Sequence, residues 1–292
     1  MSIVPSEFRN PPWRLKNDQF SPLKLTAFVG MFIPAVLIAH GFLTAQFHLR
    51  PTAWLLYWSG VWATILLLAT LFVTPARKLF RWGKLIHIRR TVGVGAFAYT
   101  LVHVYYFAAL EQFDPPVLVE EVGERFTLMV ALVSFVGLSM LAGTSFDAAV
   151  QKLGGQTWQR LHYLIYPTVA LAIFHFLLSP SSAGGLPFTF TGVFIWLMVW
   201  RILDRRGLGS DPVALFVLGL CVTFGTAIFE ATWAGTVHGL DPWLTLSFNF
   251  SLILGISAGW QVFAMSMIVA VIAMWRLNLV ARPVQSYHSQ SR

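Results

Sequence analysis

Residues 91–110 read TVGVGAFAYTLVHVYYFAAL, a run of 20 residues without an Asp, Glu, Lys or Arg. About 20 mostly apolar residues in a helix span the hydrocarbon core of a bilayer, so this run predicts a membrane-spanning helix. The whole chain has the same character: 57% of its 292 residues are hydrophobic and 11% are charged, and its mean hydropathy is +0.68. A soluble domain carries about 25% charged residues. The composition excludes a water-soluble globular protein and predicts an all-α, polytopic membrane helix bundle.

Seven further apolar runs have the length of a membrane span. The eight predicted spans are residues 24–45, 53–73, 91–110, 126–146, 160–179, 187–204, 212–233 and 246–275. Pro167 lies within the fifth span, where a missing helix hydrogen bond predicts a kink.

Basic residues fall almost entirely on one side of the predicted membrane. With eight spans, every Lys and Arg except Arg50 and Arg125 lies in or beside a segment on the same side. Because positively charged segments stay cytoplasmic, we expect both termini in the cytoplasm. The net charge of +8 then reflects topology, and we expect the lipid bilayer rather than a nucleic acid as the surroundings.

The predicted outer loop between spans three and four is strongly acidic. Residues 111–125 contain five acidic side chains and one basic side chain. Two interpretations are open: a solvated loop that follows the charge asymmetry, or a docking patch for a basic or electron-accepting partner.

Two histidines are enclosed by apolar sequence at membrane depth, where ionisable groups are costly and usually functional. His103 lies 13 residues after Arg90, and His175 lies 15 residues after Arg160. At ~1.5 Å per residue, both lie about 20 Å from the inner face. Such a pair on separate helices fits the axial ligands of a six-coordinate heme iron. Proton pathways and helix-packing hydrogen bonds also use paired histidines.

A third histidine, His162, begins span five near the inner face, 13 residues before His175. The helical rise separates the two by about 20 Å, enough for two cofactor levels, but the twist leaves them about 140° apart. His87 is the nearest candidate partner for His162, and it lies among basic loop residues. The spans therefore do not supply a complete inner histidine pair.

Two sequence motifs contain the buried histidines His103 and His175. The first is RRTVGVGAFAYTLVHVYY at 89–106, preceded by Thr74-Pro75, and the second combines GTS at 143–145, QKLG at 151–154, WQRLHYLIY at 158–166 and IFH at 173–175. Over about residues 53–206 the chain resembles the MsrQ (YedZ) family, heme-binding membrane subunits of the bacterial periplasmic methionine sulfoxide reductase system. That family is part of the ferric-reductase-like transmembrane superfamily.

The resemblance implies a set of site residues. His103 and His175 would be the axial ligands of an outer b-type heme, and His162 would be a ligand or near neighbour of a second redox site. Three arginines would face heme propionates or an electron donor, or would simply follow the positive-inside rule: Arg89, Arg90 and Arg160. The implied cofactors are one or two b-type hemes, with FMN or quinone.

The resemblance also implies a location, partners and a domain plan. The chain would lie in the bacterial inner membrane, accept electrons from the quinone pool or a cytosolic flavin reductase, and reduce a periplasmic molybdenum-containing reductase subunit. The plan has a cytoplasmic segment at 1–23, a six-helix heme core at 24–206, two additional spans at 207–276 and a cytoplasmic tail at 277–292. Because 16 residues follow Arg276, too few for flavin and nicotinamide domains, we expect an electron-transfer subunit rather than a self-contained enzyme.

Other functions remain open at this point. A ferric-reductase-like heme protein could serve another acceptor, and a heme-free proton-coupled transporter could use His103, His175 and Glu230. A structural subunit could use the histidines for interhelical hydrogen bonds. The resemblance does not extend to the two additional spans, and Glu230 there is either a proton or quinone site or a helix-end residue that reaches interfacial water.

Overall fold

A computed structural model describes residues 11, 13–14, 19–44, 50–179, 185–251 and 255–281, without the side chains of 276–281. Most of the predicted terminal segments, 1–23 and 277–292, lie outside these residues. The described part is helical, with one isolated bridge between Arg14 and Phe20. Its α-helices are α1 (Pro22–Gly30), α2 (Ile33–Thr44), α3 (Pro51–Leu79), α4 (Arg89–Leu110), α5 (Pro115–Glu124), α6 (Phe126–Gly143), α7 (Asp147–Leu153), α8 (Gly155–His162), α9 (Ile165–Leu178), α10 (Leu186–Arg205), α11 (Pro212–His238), α12 (Pro242–Phe250) and α13 (Ala258–Ala281).

Eight segments in the described part of the chain are long and apolar enough to cross a membrane. These segments are Pro22–Thr44, Pro51–Leu79, Gly83–Leu110, Phe126–Gly143, Gly155–Leu178, Leu186–Arg205, Pro212–His238 and Ala258–Trp275. The predicted all-α membrane bundle of about eight spans is confirmed.

Proline interrupts two of these spans in the same way. Pro34 follows the break between α1 and α2, and Pro167 follows the break between α8 and α9. A proline has no N–H to donate to the carbonyl four residues earlier. For Pro34 this carbonyl belongs to Gly30, the last residue of α1. For Pro167 it belongs to Tyr163, the residue directly after α8. The kink predicted from Pro167 is therefore present, one turn before the proline itself.

The last predicted span, 246–275, is wrong as a single helix. Helix α12 ends at Phe250, and α13 begins at Ala258. Gly255 between them has a φ of 102°, a conformation that favours glycine and does not continue a helix. Asn249 therefore belongs to a short separate helix rather than to the eighth span.

The described residues within 1–74 and 84–194 form one compact unit, called unit 1 here. Its helices α6 and α9 approach closely because Gly137 has no side chain: a Cβ there would lie 2.6 Å from the Thr168 hydroxyl oxygen. The Ser134 hydroxyl donates to the Thr168 carbonyl at 3.0 Å across the same contact. Small residues and interhelical hydrogen bonds are the usual means by which helices associate in membranes.

The described residues within 75–83 and 195–292 form the second compact unit, unit 2. Helices α11 and α13 pack through small residues, since a Cβ added at Gly219 would lie 2.9 Å from the Ser266 Cβ. At the end of α10, the buried Trp200 donates its indole N–H to the Gly209 carbonyl at 2.9 Å. Helix α12 completes the unit beside α11 and α13.

Candidate functional site

The His103 ring, on α4, is oriented by the backbone of α3. Its Nδ1 lies 2.8 Å from the Leu56 carbonyl oxygen. A carbonyl oxygen only accepts hydrogen bonds, so Nδ1 carries the proton and donates it. In the neutral ring, Nε2 is then left with a free lone pair.

The His175 ring, on α9, has the same arrangement with a different helix. Its Nδ1 lies 3.0 Å from the carbonyl oxygen of Thr127 on α6. Metal-bound histidines almost always donate their second ring N–H to a carbonyl, a carboxylate or water, which fixes the ring and raises its basicity. Both imidazoles therefore have the supporting hydrogen bond of a metal ligand.

The two rings lie close to each other within unit 1. Their centroids are 6.4 Å apart and their planes are inclined by 78°. Imidazole nitrogens bind metals at about 2.0–2.1 Å, so two rings on opposite sides of one ion have centroids about 6 Å apart. The observed spacing and the free Nε2 atoms fit a metal held between His103 and His175, as in a bis-histidine heme.

A glycine makes room for this arrangement. Gly60 lies one turn after Leu56 on α3, and a Cβ added there would lie 2.7 Å from the His103 Nδ1. Glycine in a helix interior costs about 1 kcal/mol relative to alanine. Here its absent side chain allows the His103 ring to reach the Leu56 carbonyl.

The histidine pair lies near one end of unit 1. Leu56 is in the second turn of α3, and Thr127 is the second residue of α6. The acidic loop predicted from residues 111–125 contains helix α5, which ends at Glu124 directly before α6. Glu120 and Glu124 are exposed on it, and Glu121 pairs with Arg125. The most acidic surface predicted from the sequence is therefore adjacent to the histidine pair along the chain.

The third predicted site histidine, His162, has a different environment at the end of α8. Its ring centroid lies 3.9 Å from that of Trp158, one turn earlier on the same helix. The Trp158 indole N–H donates to the Thr144 carbonyl at 2.8 Å, which fixes the tryptophan. The Nδ1 of His162 is buried and has no hydrogen-bond partner in the described structure.

Two of the predicted arginines, Arg89 and Arg160, lie near His162 rather than near the histidine pair. Arg89 is close enough to His162 for their charges to interact, and Arg90 forms a 2.6 Å ion pair with Asp147 at the start of α7. Arg160 is exposed on α8. His103 lies about 20 Å further along α4 than Arg90 at ~1.5 Å per residue.

Two other candidates do not join a metal cluster. His87 is exposed in a 3₁₀ helix, Gly83–Ile88, and Glu230 belongs to unit 2. Among the described residues, no group of three or more His, Cys, Asp or Glu side chains could hold a metal ion. A two-histidine site is thus the arrangement that the described part of the chain offers.

Sequence reasoning missed the groups that orient the histidines. The carbonyls of Leu56 and Thr127 carry no sequence signal, because every residue has one. Gly60 does leave a signal, a glycine inside an otherwise apolar helix. Its partner His103 is 43 positions away, so only the fold joins the two.

Comparisons with known proteins indicate the family of the chain. Residues 59–173 match the family described as "Ferric reductase like transmembrane component". The matched region includes Gly60, His103 and His162 and ends two residues before His175. A curated relative from Azospira oryzae, the protein-methionine-sulfoxide reductase heme-binding subunit MsrQ, is 33% identical over 189 residues, which are 64% of this chain and 81% of the relative. The chain belongs to the MsrQ family.

Two further MsrQ relatives support the assignment. The protein from Rhodospirillum rubrum is 31% identical over 65% of this chain and 93% of its own length. The protein from Cronobacter sakazakii is 34% identical over 66% of this chain and 97% of its own length. No solved structure matches the chain. The predicted resemblance to MsrQ and to ferric reductases is confirmed, and the chain is a multi-pass membrane protein of this family.

Proposed function

We propose that this chain is a membrane electron-transfer subunit that binds a b-type heme through His103 and His175. The observation that carries the proposal is the geometry of these two rings: they come from separate helices, their centroids are 6.4 Å apart, and each donates Nδ1–H to a backbone carbonyl. The relatives named as heme-binding subunits support the same cofactor.

The chain's own residues would position the ligands before the cofactor arrives. The carbonyls of Leu56 and Thr127 fix the rings and keep each Nε2 unprotonated. Two aromatic contacts flank His175: Phe176 packs on Tyr57 with centroids 5.9 Å apart, and Phe174 packs on Phe126 at 6.4 Å. They hold α9 against α3 and α6. When bound, the heme would supply reversible one-electron chemistry at a potential tuned by these surroundings.

The electrons would leave at the end of unit 1 that carries α5. Its exposed Glu120 and Glu124 form an acidic surface next to the α6 end that holds His175 through Thr127. Charge complementarity steers soluble partners to such surfaces. We propose that this surface binds an extracytoplasmic acceptor, a periplasmic methionine sulfoxide reductase subunit.

The opposite end of α4 would face the electron donor. Arg89, Arg160 and the lone His162 lie there, and the donor would be a quinol or a cytosolic flavin reductase. This orientation sets both termini in the cytoplasm of a bacterial inner membrane, in line with the position of the basic residues. His162 would then be a ligand or near neighbour of a second redox site, which His87 does not complete, because it is exposed in its 3₁₀ helix.

Heme content and visible spectra test the proposal. Full-length protein in mild detergent is expected to contain heme with a sharpened α-band after dithionite reduction. His103→Ala and His175→Ala should each lose this spectrum, while His40→Ala, a histidine replacement in α2, should keep it. A folded wild-type protein that takes up no heme under adequate heme supply would refute the electron-transfer function.

A further inference from the structure

Unit 1 contains a cavity of about 1280 Å³ between its first span, formed by α1 and α2, and helices α3 and α4. Along α4 its wall extends from Arg90 to Tyr106, which is about 24 Å at ~1.5 Å per residue. One leaflet of bilayer hydrocarbon is about 15 Å thick, half of the ~30 Å core. The cavity is therefore long enough for a whole acyl chain. His103 and His175 are not among its described wall residues, so it is separate from the histidine pair.

A single contact fixes the first span to α4 at this cavity. Gly95 makes the contact possible, because a Cβ there would lie 2.5 Å from the Met31 sulfur. The Tyr99 hydroxyl donates to the Met31 carbonyl at 2.7 Å at the same level. The wall of the cavity continues on both sides of this contact, from Phe28 to Phe42 along the first span.

The middle of the cavity is lined by carbon. Ala35 and Ala39 of α2 form part of its wall, as do Val94 and Ala98 of α4, and all four are exposed. Water does not stabilise such a surface, because apolar cavities stay dry. In a membrane, hydrocarbon chains are the material that covers it.

Charged residues gather at one end of the same cavity. Arg14, Lys24 and Arg90 line this end together with His87 and one acidic residue, Asp147. Lys24 is close enough to Arg90 and Asp147 for their charges to interact. Three cationic side chains and one carboxylate give the described wall an excess of positive charge at this end.

A phosphate group is complementary to this end of the cavity. Arginine binds phosphate through parallel N–H bonds, and a lysine ammonium donates up to three hydrogen bonds. For Lys24 the structure shows one of these, to the Arg14 backbone carbonyl. Basic pockets between membrane helices bind anionic lipid head groups in this way. A lipid-soluble molecule with an uncharged head group would leave the excess positive charge uncompensated.

We propose that this cavity binds one anionic glycerophospholipid, with its phosphate at Arg14, Lys24 and Arg90 and its acyl chains between α2 and α4. The chains cover the apolar wall, and the phosphate compensates the positive end. The bound lipid thereby joins the largely exposed first span to α4. The site does not rest on the proposed heme function.

Native mass spectrometry of the full chain tests the site. Delipidated protein is titrated with an equimolar mixture of dioleoyl phosphatidylglycerol and dioleoyl phosphatidylcholine, which have the same chains and different head-group charges. We expect one bound phosphatidylglycerol per chain, at about tenfold higher affinity than phosphatidylcholine, because choline brings a cation to a basic site. Equal binding of the two lipids, or no bound phospholipid, would overturn the proposal.

Two matched arginine variants locate the head group. Arg14→Gln should lower the affinity for phosphatidylglycerol about fivefold, the ratio that corresponds to one basic residue beside an anionic lipid. Arg206→Gln removes the same charge from an exposed residue of unit 2 and should bind like wild type. An equal loss in both variants, or no loss in Arg14→Gln, contradicts the site.

Two matched alanine variants locate the chains. Ala98→Phe fills the apolar part of the cavity and should weaken the binding of both phospholipids, whereas Ala264→Phe, on an exposed position of α13, should leave it unchanged. Glycerol 3-phosphate, which has the phosphate without the chains, should not compete. Wild-type affinity in Ala98→Phe, or full competition by glycerol 3-phosphate, would reduce the site to a surface that binds phosphate and overturn the proposal.

A further variant separates this proposal from the heme function. His103→Ala should bind phosphatidylglycerol with wild-type affinity even where it has lost its heme. Loss of lipid binding in a folded His103→Ala protein would overturn the inference. Selective phosphatidylglycerol binding by a chain that never takes up heme would support this inference while refuting the proposed function.

Discussion

His175 and His162 occupy opposite ends of the same predicted span, and their rings have different surroundings. His175 donates its Nδ1–H to the carbonyl of Thr127 on another helix. His162 instead packs on Trp158 of its own helix, and its Nδ1 is buried without a partner. This contrast indicates that partial burial alone does not orient an imidazole as a metal ligand. A hydrogen bond that the ring donates to a carbonyl on a second helix does, because it fixes the tautomer and orients the other nitrogen.

Replacing His175 or His162 by alanine should give the largest difference in the heme spectrum. His175→Ala should abolish the low-spin heme spectrum, because the iron would lose an axial ligand. His162→Ala should keep the spectrum of the His103–His175 site, even if a second redox centre is affected. Pyridine hemochrome analysis and reduced spectra of both variants make the comparison. Loss of all heme in a folded His162→Ala protein would show that the two histidines do not differ in this way.

A methyl group next to His103 should give the next largest effect. In Gly60→Ala the new Cβ would lie 2.7 Å from the His103 Nδ1, so the ring must leave the Leu56 carbonyl. Loss of such a supporting hydrogen bond typically lowers metal affinity about 10- to 100-fold. Titration of the heme-free protein with hemin measures the change.

Gly93→Ala is the matched control on α4. Its new Cβ would lie 3.7 Å from Thr70, an ordinary contact, so hemin affinity should stay at the wild-type value. Equal affinities for the two alanine variants would remove Gly60 and the Leu56 carbonyl from the account of the site.

The membrane bundle and the histidine pair could be predicted from the sequence, for physical reasons. Apolar runs of about 20 residues have few alternatives to a membrane span, and His103 and His175 lie at similar depth because each is a similar number of residues from a basic cluster. The kink near Pro167 follows from its missing N–H.

Other features depended on contacts between distant segments. The carbonyls of Leu56 and Thr127 have no sequence signature, and Gly60 becomes informative only when α3 and α4 are packed together. The last span was predicted as one helix because 246–275 is almost continuously apolar, and hydropathy does not register the turn at Gly255.

A smaller effect is expected at His162. Trp158→Phe keeps a ring against the histidine and removes the hydrogen bond to the Thr144 carbonyl. We expect a loss of about 1 kcal/mol in the free energy of unfolding, the typical contribution of one such bond, and an unchanged heme spectrum. Thermal unfolding followed by circular dichroism measures the change in the free energy of unfolding. A changed heme spectrum would mean that Trp158 and the histidine pair are coupled.

The smallest effect should come from the acidic helix α5. The double variant Glu120→Gln and Glu124→Gln should slow electron transfer to the proposed extracytoplasmic acceptor about two- to threefold at low salt, because exposed charges act mainly on association rates. The difference should disappear at high salt, where exposed charges are screened. Stopped-flow oxidation of the reduced heme measures both rates. A rate that is unaffected at low salt would assign the acceptor to another surface.

Electron paramagnetic resonance of the oxidised protein tests most directly whether His103 and His175 bind one iron from opposite sides. Two axial imidazoles make ferric heme low-spin, and their 78° inclination predicts the highly anisotropic low-spin signal of nearly perpendicular ligand planes. His175→Ala should convert this signal to a high-spin one. A high-spin ferric signal in wild-type protein with stoichiometric heme would contradict the account.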